Sequence, residues 1–324
     1  MAGTIVFGGA GFIGTHLLHD LAERGVTPLV SADIAAPLDP VEGVRYIDCD
    51  VRRDIAFDGT EFDTIYNLAG LVATPGHPDV EYYRTNATGA VTVCDFAEKF
   101  GIRTIIFTST MSIYPTGDEL KTESSAIDPV NAYGASKAIG ESIHRRWLDS
   151  HTDNRLLITR PAVIFGPGER GNFARLHRLL QRGWFVYPGR QDTIKACGYV
   201  TDLVQSFGFV LGRPGRYHLY NFAYPDRCTI ADICAMISAE LGRPAPRARL
   251  PLSLMSAGAR PFEALESLGL RSGINRARIA KLVESTNIYP GFLLEHGFEY
   301  STTLEQGLQA WLRSRTPVAA AGTT

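Results

Sequence analysis

The feature that most constrains the fold of this chain is a glycine-rich turn near its N-terminus. Thr4 to Phe7 is a short apolar run typical of a buried strand, and Gly8, Gly11 and Gly14 follow it with the spacing G-x-x-G-x-x-G. From Phe12 to Arg24 apolar residues recur at helical spacing. A strand, a tight glycine turn and a helix in this order predict the start of a parallel βαβ unit.

The same alternation continues through the first half of the chain. Further strands are predicted over residues 28–33, 44–47, 63–70, 104–108 and 156–164, with helices over 80–100 and 131–150. Strands that alternate with helices predict an α/β fold, a Rossmann-type doubly wound parallel sheet. Ligands of such sheets bind at the carboxyl ends of the strands.

The second half of the chain differs in composition, because prolines, glycines and arginines become more frequent after about residue 166. Helical patches are predicted over 173–182, 230–241 and 304–312, the second with Thr229 as its N-cap. We therefore predict a nucleotide-binding Rossmann domain over residues 1–166, to which later strands within about 191–225 return, one of them at 217–222. Residues 167–316 would form a smaller C-terminal substrate-binding lobe, and 317–324 a disordered tail.

Charge and cysteine content exclude several classes of protein. The 324 residues carry a formal net charge of −2, which predicts neither a nucleic-acid nor a membrane partner but leaves a local basic pocket for a phosphate ligand open. The five cysteines are odd in number and lack C-x-x-C spacing. We interpret them as reduced core residues rather than metal or disulfide ligands, with no metal expected. No apolar run long enough to span a bilayer and no signal peptide is evident, so we expect a cytoplasmic protein.

The glycine turn predicts a dinucleotide site. Gly8 would permit the turn, Gly11 would let the backbone approach a pyrophosphate, and Gly14 would let the helix pack on the sheet. The helix N-terminus, with Phe12 and Ile13 in its first turn, would face the negative charge.

Asp33, at the end of the second strand, predicts which dinucleotide binds. Its carboxylate can accept hydrogen bonds from the ribose hydroxyls and would repel a 2′-phosphate. No arginine or lysine occurs from Ile34 to Pro37, so NAD is favoured over NADP. Asp50, followed by Val51, either meets the adenine amino group or caps a loop.

Tyr133 and Lys137 form a Y-x-x-x-K pair that predicts acid/base chemistry. Four residues apart on a helix, the two side chains share one face. A nearby ammonium and a positively charged nicotinamide ring would both favour the phenolate and lower the tyrosine pKa. The strand 104–108 would bring Ser109 to Ser112 to the same end of the sheet, where short hydroxyls could hold a substrate oxygen.

Taken together, these segments resemble extended short-chain dehydrogenase/reductases of the NAD-dependent epimerase/dehydratase family, along nearly the whole chain. The matching segments are Gly8-Gly-Ala-Gly-Phe-Ile-Gly14, Asn67-Leu-Ala-Gly-Leu-Val-Ala73, Asn86, Phe107-Thr-Ser-Thr-Met-Ser-Ile-Tyr114, Tyr133-Gly-Ala-Ser-Lys137, Arg160-Pro161 and Gly198-Tyr-Val-Thr-Asp202.

The resemblance implies roles for particular residues. Thr110 would be the catalytic Ser/Thr, with Ser109 beside it, and Tyr133 and Lys137 the acid/base pair. The implied cofactor contacts further include Asn86, Leu68, Ala69 and Gly70 along the nicotinamide path, and Pro161 to Val163 at the nicotinamide end. The implied substrate contacts are Thr110, Ser112, Tyr133, Asn172, Phe173, Lys195 and Arg278.

Two departures from the family pattern bear on the substrate. The segment that supplies a second phosphate-binding arginine in sugar-nucleotide epimerases is not recognisable, which leaves Arg247, Arg249, Arg276 and Arg278 as candidates. Lys195 stands where many relatives carry an arginine, and it keeps the charge without the bidentate fork. Met111-Ser112 replaces the Asp-Glu pair that follows the threonine in 4,6-dehydratases, so dehydration is not expected.

The resemblance favours a nucleoside-diphosphate-sugar 4-epimerase that uses NAD and works as a homodimer through the helices over 80–100 and 131–150. One alternative is a reductase or dehydrogenase of a 4-keto sugar nucleotide or another alcohol. The other is a non-catalytic dinucleotide-binding regulator, which commonly lacks the Tyr/Lys pair retained here.

Overall fold

A seven-stranded parallel sheet lies at the centre of the molecule. The computed structural model describes residues 3–72, 76–255, 257 and 282–315. The strands are β1 (Gly3–Phe7), β2 (Leu29–Asp33), β3 (Val44–Asp48), β4 (Phe62–Asn67), β5 (Thr104–Thr108), β6 (Gly117–Lys121), β7 (Arg155–Pro161), β8 (Val163–Phe165), β9 (Tyr187–Pro188), β10 (Cys197–Tyr199), β11 (Tyr217–Phe222), β12 (Arg249–Leu250) and β13 (Thr286–Ile288).

Nine α-helices lie wholly within the described ranges, and residues 252–255 are helical as well. They are α1 (Phe12–Glu23), α2 (Asp79–Tyr82), α3 (Gly89–Phe100), α4 (Ala132–Ser150), α5 (Asn172–Arg182), α6 (Val200–Leu211), α7 (Ile230–Glu240), α8 (Gly291–Glu295) and α9 (Leu304–Arg315). A π-helix (Tyr83–Thr88) joins α2 to α3, and a short 3₁₀ helix (Met111–Ile113) follows β5. None of the helices within these ranges has the length and apolar content needed to cross a bilayer.

The strand order in the main sheet is β11-β7-β5-β4-β1-β2-β3, and every neighbouring pair is parallel. This is the doubly wound Rossmann arrangement that the sequence predicted. Because the order reverses at β1 and β4, the chains leaving their carboxyl ends diverge and open a crevice between them.

Helices cover both faces of the sheet and produce two apolar layers. On one face the sheet packs against α3 and α4, with Val93, Phe96 and Trp147 in the core. On the other it packs against α1 and α6, where Leu18 meets Phe207 in the same buried cluster. A third cluster, formed around Phe173 and Trp311, packs α5, α7 and α9 against one another.

The structure differs from the predicted elements in several places. The predicted strand 63–70 ends at Asn67, and the predicted helix 80–100 contains the π-helical turn. The run 156–164 is two strands, because β7 belongs to the main sheet and β8 pairs with β10. Helix α6, which packs against α1, was not predicted, although Val200, Leu203, Val204, Phe207 and Val210 recur at helical spacing and are buried. The tail 317–324 lies outside the described residues.

Candidate active site

The crevice at the sheet reversal is formed by two loops that touch. Gly8 follows β1 with φ +80°, a backbone conformation that side chains rarely adopt. A Cβ placed there would come within 2.7 Å of the Ala69 backbone nitrogen in the loop after β4. Leu68, Ala69 and Gly70 therefore line the crevice opposite the glycine turn.

Close packing of α1 against the turn requires two further glycines. A Cβ at Gly14 would lie 2.7 Å from the Gly9 Cα, and one at Gly9 would overlap the Ser31 hydroxyl. The requirement at Gly9 was not recognised in the sequence, because the contact comes from the neighbouring strand β2. At Gly11 the tightest contact would be a milder 3.1 Å, to the Gly8 carbonyl.

The N-terminus of α1 is open toward the crevice. Its N-cap is Gly11, which has no side chain to hydrogen-bond the first N–H groups, and its first turn contains no acidic residue. Phe12 and Ile13 lie in this turn, so unsatisfied N–H groups and the helix dipole face the space where a pyrophosphate would sit. A cradle that any Cβ would fill and a bare helix N-terminus fit a dinucleotide such as NAD.

Asp33 lies at the end of β2 and bonds to the glycine turn. Its Oδ2 accepts a hydrogen bond from the Ala10 N–H at 3.0 Å, and its Oδ1 accepts one from Ala35 at 2.9 Å. Each carboxylate oxygen keeps further acceptor capacity, as recognition of a ribose diol requires. Ile34, beside it, is 65% exposed.

The sequence left two roles open for Asp50, a contact with the adenine amino group and a loop cap. The structure contains the contacts of a loop cap. Its carboxylate accepts the Arg52 N–H at 3.0 Å and pairs bidentately with the Arg52 guanidinium at 2.8 and 2.9 Å. That pairing holds the pKa of the Asp50 carboxyl below its usual value. Val51 is buried against Gly89.

Lys137 is placed deep in the site by groups from three elements. Its Nζ donates to the Thr108 carbonyl at the end of β5 at 2.9 Å and lies 4.9 Å from the centre of the Phe107 ring. A Cβ at Gly70 would come within 3.0 Å of the same Nζ. Lys137, which the sequence predicted to share a helix face with Tyr133, therefore lies at the floor of the crevice.

Asn86 supports this floor from the π-helix. Its side-chain Oδ1 accepts the Leu71 N–H at 2.8 Å, and its Nδ2 donates to the Ser136 hydroxyl at 2.9 Å. It therefore ties the loop after β4 to α4. π-Helical turns recur at functional sites. This one directs the Asn86 amide to the loop after β4, whereas a regular α-helix would rotate it away.

Tyr133 and Thr110 meet because the loop after β5 packs against the start of α4. A Cβ at Gly134 would overlap the Ser112 carbonyl, so only glycine permits this approach. Asn131 caps α4 by accepting the Gly134 N–H at 2.9 Å. Thr110 caps the 3₁₀ turn through the Ser112 N–H. Both Tyr133 and Thr110 are buried.

The direction of the Tyr133 pKa shift differs from the expectation. Burial raises the pKa of the Tyr133 phenol, and interaction with the Thr110 side chain only partly opposes this. Burial also lowers the pKa of the Lys137 ammonium to about 8. The prediction that Lys137 lowers the Tyr133 pKa was wrong for the protein without its cofactor, because the Lys137 ammonium is directed to the Thr108 carbonyl. A cation bound beside the phenol would be needed to lower the Tyr133 pKa.

Three other predicted cofactor contacts lie at neighbouring strand ends. Ser109 follows β5 and is buried, and its Oγ has no hydrogen-bond partner among the described residues. Pro161 ends β7, and Val163 follows it in β8, partly buried. All three are at the carboxyl side of the sheet, with Thr110 and Lys137.

The predicted substrate-binding residues are not brought together as closely as the predicted cofactor-binding residues. Asn172 begins α5, is exposed, and accepts a hydrogen bond from Arg175, while the Phe173 ring stacks on Phe165 at 4.5 Å inside the lobe core. Only the backbone of Phe173 therefore remains for a ligand. The Lys195 Nζ donates to the Glu284 carbonyl at 2.6 Å, and burial lowers its pKa to about 8. Arg276 and Arg278 lie outside the described residues.

Sequence reasoning missed a buried ionic network beneath the site. Arg160 donates bidentately to Glu141 at 2.9 and 2.7 Å and also donates to the Tyr114 hydroxyl at 2.7 Å. Tyr114 in turn donates to Asn221 on β11. The signal was present, because Arg160 and Tyr114 belong to matched segments and Glu141 follows Lys137 by one helical turn. Their mutual contact could not be read from spacing.

Comparison with known families gives one match that spans most of the chain. Residues 4–223 match the sequence profile described as the NAD dependent epimerase/dehydratase family. This range includes β1 through β11 and therefore every element that lines the crevice.

Individual relatives and solved structures agree with this match. The N-acetyl-α-D-glucosaminyl-diphospho-ditrans,octacis-undecaprenol 4-epimerase of Escherichia coli O157:H7 is 29% identical over 318 residues, 95% of this chain and 94% of the relative. A UDP-glucose 4-epimerase of Streptococcus mutans is 29% identical over 184 residues, 53% of this chain and 55% of that one. The crystal structure of the UDP-glucose 4-epimerase of Thermus thermophilus in complex with NAD shares the fold, with a TM-score of 0.74, 18% identity, and coverage of 96% of this chain and 98% of that chain.

Proposed function

Because the chain belongs to the NAD dependent epimerase/dehydratase family, we propose that it is an NAD-dependent 4-epimerase of a sugar carried on a diphosphate. The observation that supports this most is the placement of Thr110, Tyr133 and Lys137. All three are buried at the carboxyl end of β5, beside a glycine cradle suited to a dinucleotide. Retention of the pair argues for an enzyme over a non-catalytic regulator.

The proposed roles follow from the chemistry of these side chains. The Tyr133 phenolate takes the proton of the sugar 4-hydroxyl, and the phenol so formed later returns it, while the Thr110 hydroxyl holds the same oxygen in position. Lys137 orients the loop after β5 by donating to the Thr108 carbonyl. When bound, NAD supplies the reversible two-electron acceptor for the sugar carbon, and its positive ring favours the Tyr133 phenolate.

The binding roles are proposed for the remaining predicted residues. Gly8, Gly11, Gly14 and the first turn of α1 would hold the pyrophosphate, and Asp33 the adenosine ribose. Leu68 to Gly70, Asn86, Ser109, Pro161 and Val163 would surround the nicotinamide end. The unpartnered Ser109 hydroxyl is a donor available to a ligand.

Two carriers of the sugar are compatible with this site. A nucleoside diphosphate is the leading candidate, because UDP-glucose 4-epimerases are among the relatives. A polyprenyl diphosphate is the second. It is favoured by the undecaprenyl-linked substrate in the name of the Escherichia coli relative, which aligns over 95% of this chain. The lack of a recognisable motif for the second phosphate-binding arginine and the hydrogen bond of Lys195 to the Glu284 carbonyl also weaken the nucleotide pattern.

The proposal predicts turnover without net redox change. The purified protein should interconvert one pair of 4-epimers when given a panel of UDP-, GDP-, CDP- and dTDP-sugars and a polyprenyl-diphosphate N-acetylhexosamine. Chromatographic separation of the epimers from both directions measures this, with the NADH absorption band followed in parallel. A stoichiometric change in that band would instead identify a reductase or dehydrogenase. Bound NAD with no conversion of any sugar would favour the regulator.

We further propose that the chain forms a homodimer through α3 and α4. Val91 on α3 and Ile139 on α4 are 42% and 44% exposed, and the two helices pack side by side, as a four-helix interface between two copies would need. Replacing both residues with glutamate should convert a dimer to a monomer in sedimentation velocity, whereas an unchanged or already monomeric mass contradicts the proposal.

A cytoplasmic location is supported by the five free, buried cysteines.

A further inference from the structure

One surface of the C-terminal lobe combines positive charge with exposed apolar side chains. Residues 171–190 contain four arginines and residues 241–255 three, and neither stretch contains an aspartate or glutamate. The chain as a whole has a net charge of −2. The two stretches therefore carry a local excess of positive charge that the total conceals, although Arg190 is paired with Asp118 and Asp192.

The fold brings these two stretches together. Strand β9 pairs in parallel with β12, with the Tyr187 and Gly189 N–H groups donating to the Ala248 and Leu250 carbonyls at 3.0 and 2.8 Å. A Cβ at Gly183 would lie 3.9 Å from an Arg243 guanidinium nitrogen. The end of α5 and the segment around β12 therefore share one surface.

We call this the arginine-leucine surface and define it by Leu179, Arg182, Trp184, Arg243, Leu250 and Leu254. Its apolar members are strongly exposed, Trp184 at 69% and Leu254 at 58%. Arg182 lies 5.3 Å from the centre of the Trp184 ring. Neither Arg182 nor Arg243 forms an ion pair with a carboxylate among the described residues.

The position of Trp184 is defined by the end of α5. Gly183 adopts the left-handed conformation, its N–H donates to Leu180, and the Trp184 N–H donates to Leu179 at 3.0 Å. This Schellman arrangement holds the backbone firmly. The indole is nevertheless left in solvent, which is costly for so large an apolar group unless something covers it.

Capping of helix ends accounts for part of the charge only. Arg182 in the last turn of α5 and Arg243 beside its C-terminus both complement the helix dipole. Helix capping explains neither the absence of carboxylates from both stretches nor the exposure of Trp184, Leu250 and Leu254. Tryptophan, leucine and arginine together are the residues that favour the boundary between lipid headgroups and acyl chains.

We propose that the arginine-leucine surface docks the protein on an anionic lipid bilayer, without spanning it. Arginines would meet the lipid phosphates, and Trp184 with the exposed leucines would enter the headgroup boundary. The net charge of the chain predicted no membrane partner. Electrostatic attraction at a surface, however, depends on the charges within one Debye length, ~10 Å, and not on the total charge of the protein. The proposal is independent of which diphosphate carries the sugar.

Vesicle sedimentation of the full chain without substrate tests the docking. We expect binding to vesicles of phosphatidylglycerol and phosphatidylcholine that weakens with added salt, and little binding to phosphatidylcholine alone. Each arginine removed should lower partitioning about fivefold, so Arg182→Gln with Arg243→Gln should lower it about 20-fold. Trp184→Ala should also lower it severalfold. Arg247 and Arg249 stay unchanged, because they remain candidate diphosphate ligands.

The matched control is Arg146→Gln with Arg313→Gln, which removes the same charge from exposed positions on α4 and α9. Leu38→Ala, at a residue 75% exposed, is the control for Trp184→Ala. Equal losses in the controls, or no binding of the wild-type chain to anionic vesicles, would overturn the proposal. So would an oligomer in light scattering that Trp184→Ala dissociates, since it would assign the surface to a second copy. Epimerisation of a soluble sugar nucleotide by the same variants tests the proposed function separately.

Discussion

Replacement of Tyr133 by phenylalanine should lower epimerase turnover by about 10³-fold, within the range that one positioned acid/base group contributes. Phenylalanine keeps the ring that packs near Tyr82, at a centroid distance of 6.3 Å, and removes only the hydroxyl beside Thr110. Without it no group in the described site is placed to exchange the proton of the sugar hydroxyl. NAD should stay bound, since the glycine cradle and Asp33 are unchanged.

Turnover at saturating substrate, with bound NAD quantified in the same preparation, measures this effect. Tyr82→Phe is the matched control, because it removes a phenol from a buried ring next to Tyr133 and should change turnover by less than about threefold. If Tyr133→Phe retained a tenth or more of the wild-type rate, the acid/base role proposed for this phenol would be wrong. The same fall in both variants would point to packing instead.

The second large effect is expected from Glu141→Ala, which should lower the free energy of unfolding by about 3–5 kcal/mol. The Glu141 and Arg160 side chains are each only 2% exposed. Removal of the carboxylate leaves a buried guanidinium whose remaining acceptors, among the residues that the structure describes, are the Tyr114 hydroxyl and the Glu123 carbonyl. An uncompensated charge in that position is strongly destabilising, whereas the intact pair contributes little net stability.

Chemical denaturation followed by circular dichroism measures the loss. Glu98→Ala is the control, because Glu98 pairs with His151 and Arg103 at the surface and should cost about 0–1 kcal/mol. The double replacement Glu141→Leu with Arg160→Met should recover much of the loss, since it removes both charges. A loss below about 1 kcal/mol in Glu141→Ala, or no recovery in the double variant, contradicts this account of the network.

Much of the fold could be predicted because its local signals agree with one another. The glycine turn, the apolar strands and the helix start at Asn131 each have a short-range physical cause, and all indicate the same parallel sheet. Helix α6 was predictable by the same kind of signal, because its buried apolar residues recur at helical spacing and Thr201 and Gln205 between them are exposed. The division at residue 162 between two sheets depends on a pairing with β10 that strand composition does not specify.

The candidate site was predictable in part for the same reason. Lys137 follows Tyr133 by one helical turn wherever the helix lies, so their proximity follows from the sequence. The contact of Gly134 with Ser112 and the ion pair of Arg160 with Glu141 join residues far apart in the chain. Spacing contains no information on such contacts, since each depends on how two elements pack.

The sequence by itself determined the parallel α/β architecture, the glycine cradle, the carboxylate at the end of β2 and the Tyr/Lys pair, because backbone geometry and side-chain periodicity act over a few residues. Only the tertiary structure decided the surroundings of those groups and the direction of the pKa shifts of the Tyr/Lys pair. It raised the Tyr133 pKa by burial, turned Lys137 toward Thr108, and joined two arginine-rich stretches about sixty residues apart into one surface. Desolvation and charge complementarity depend on neighbours in space, and the folded chain alone sets which neighbours those are.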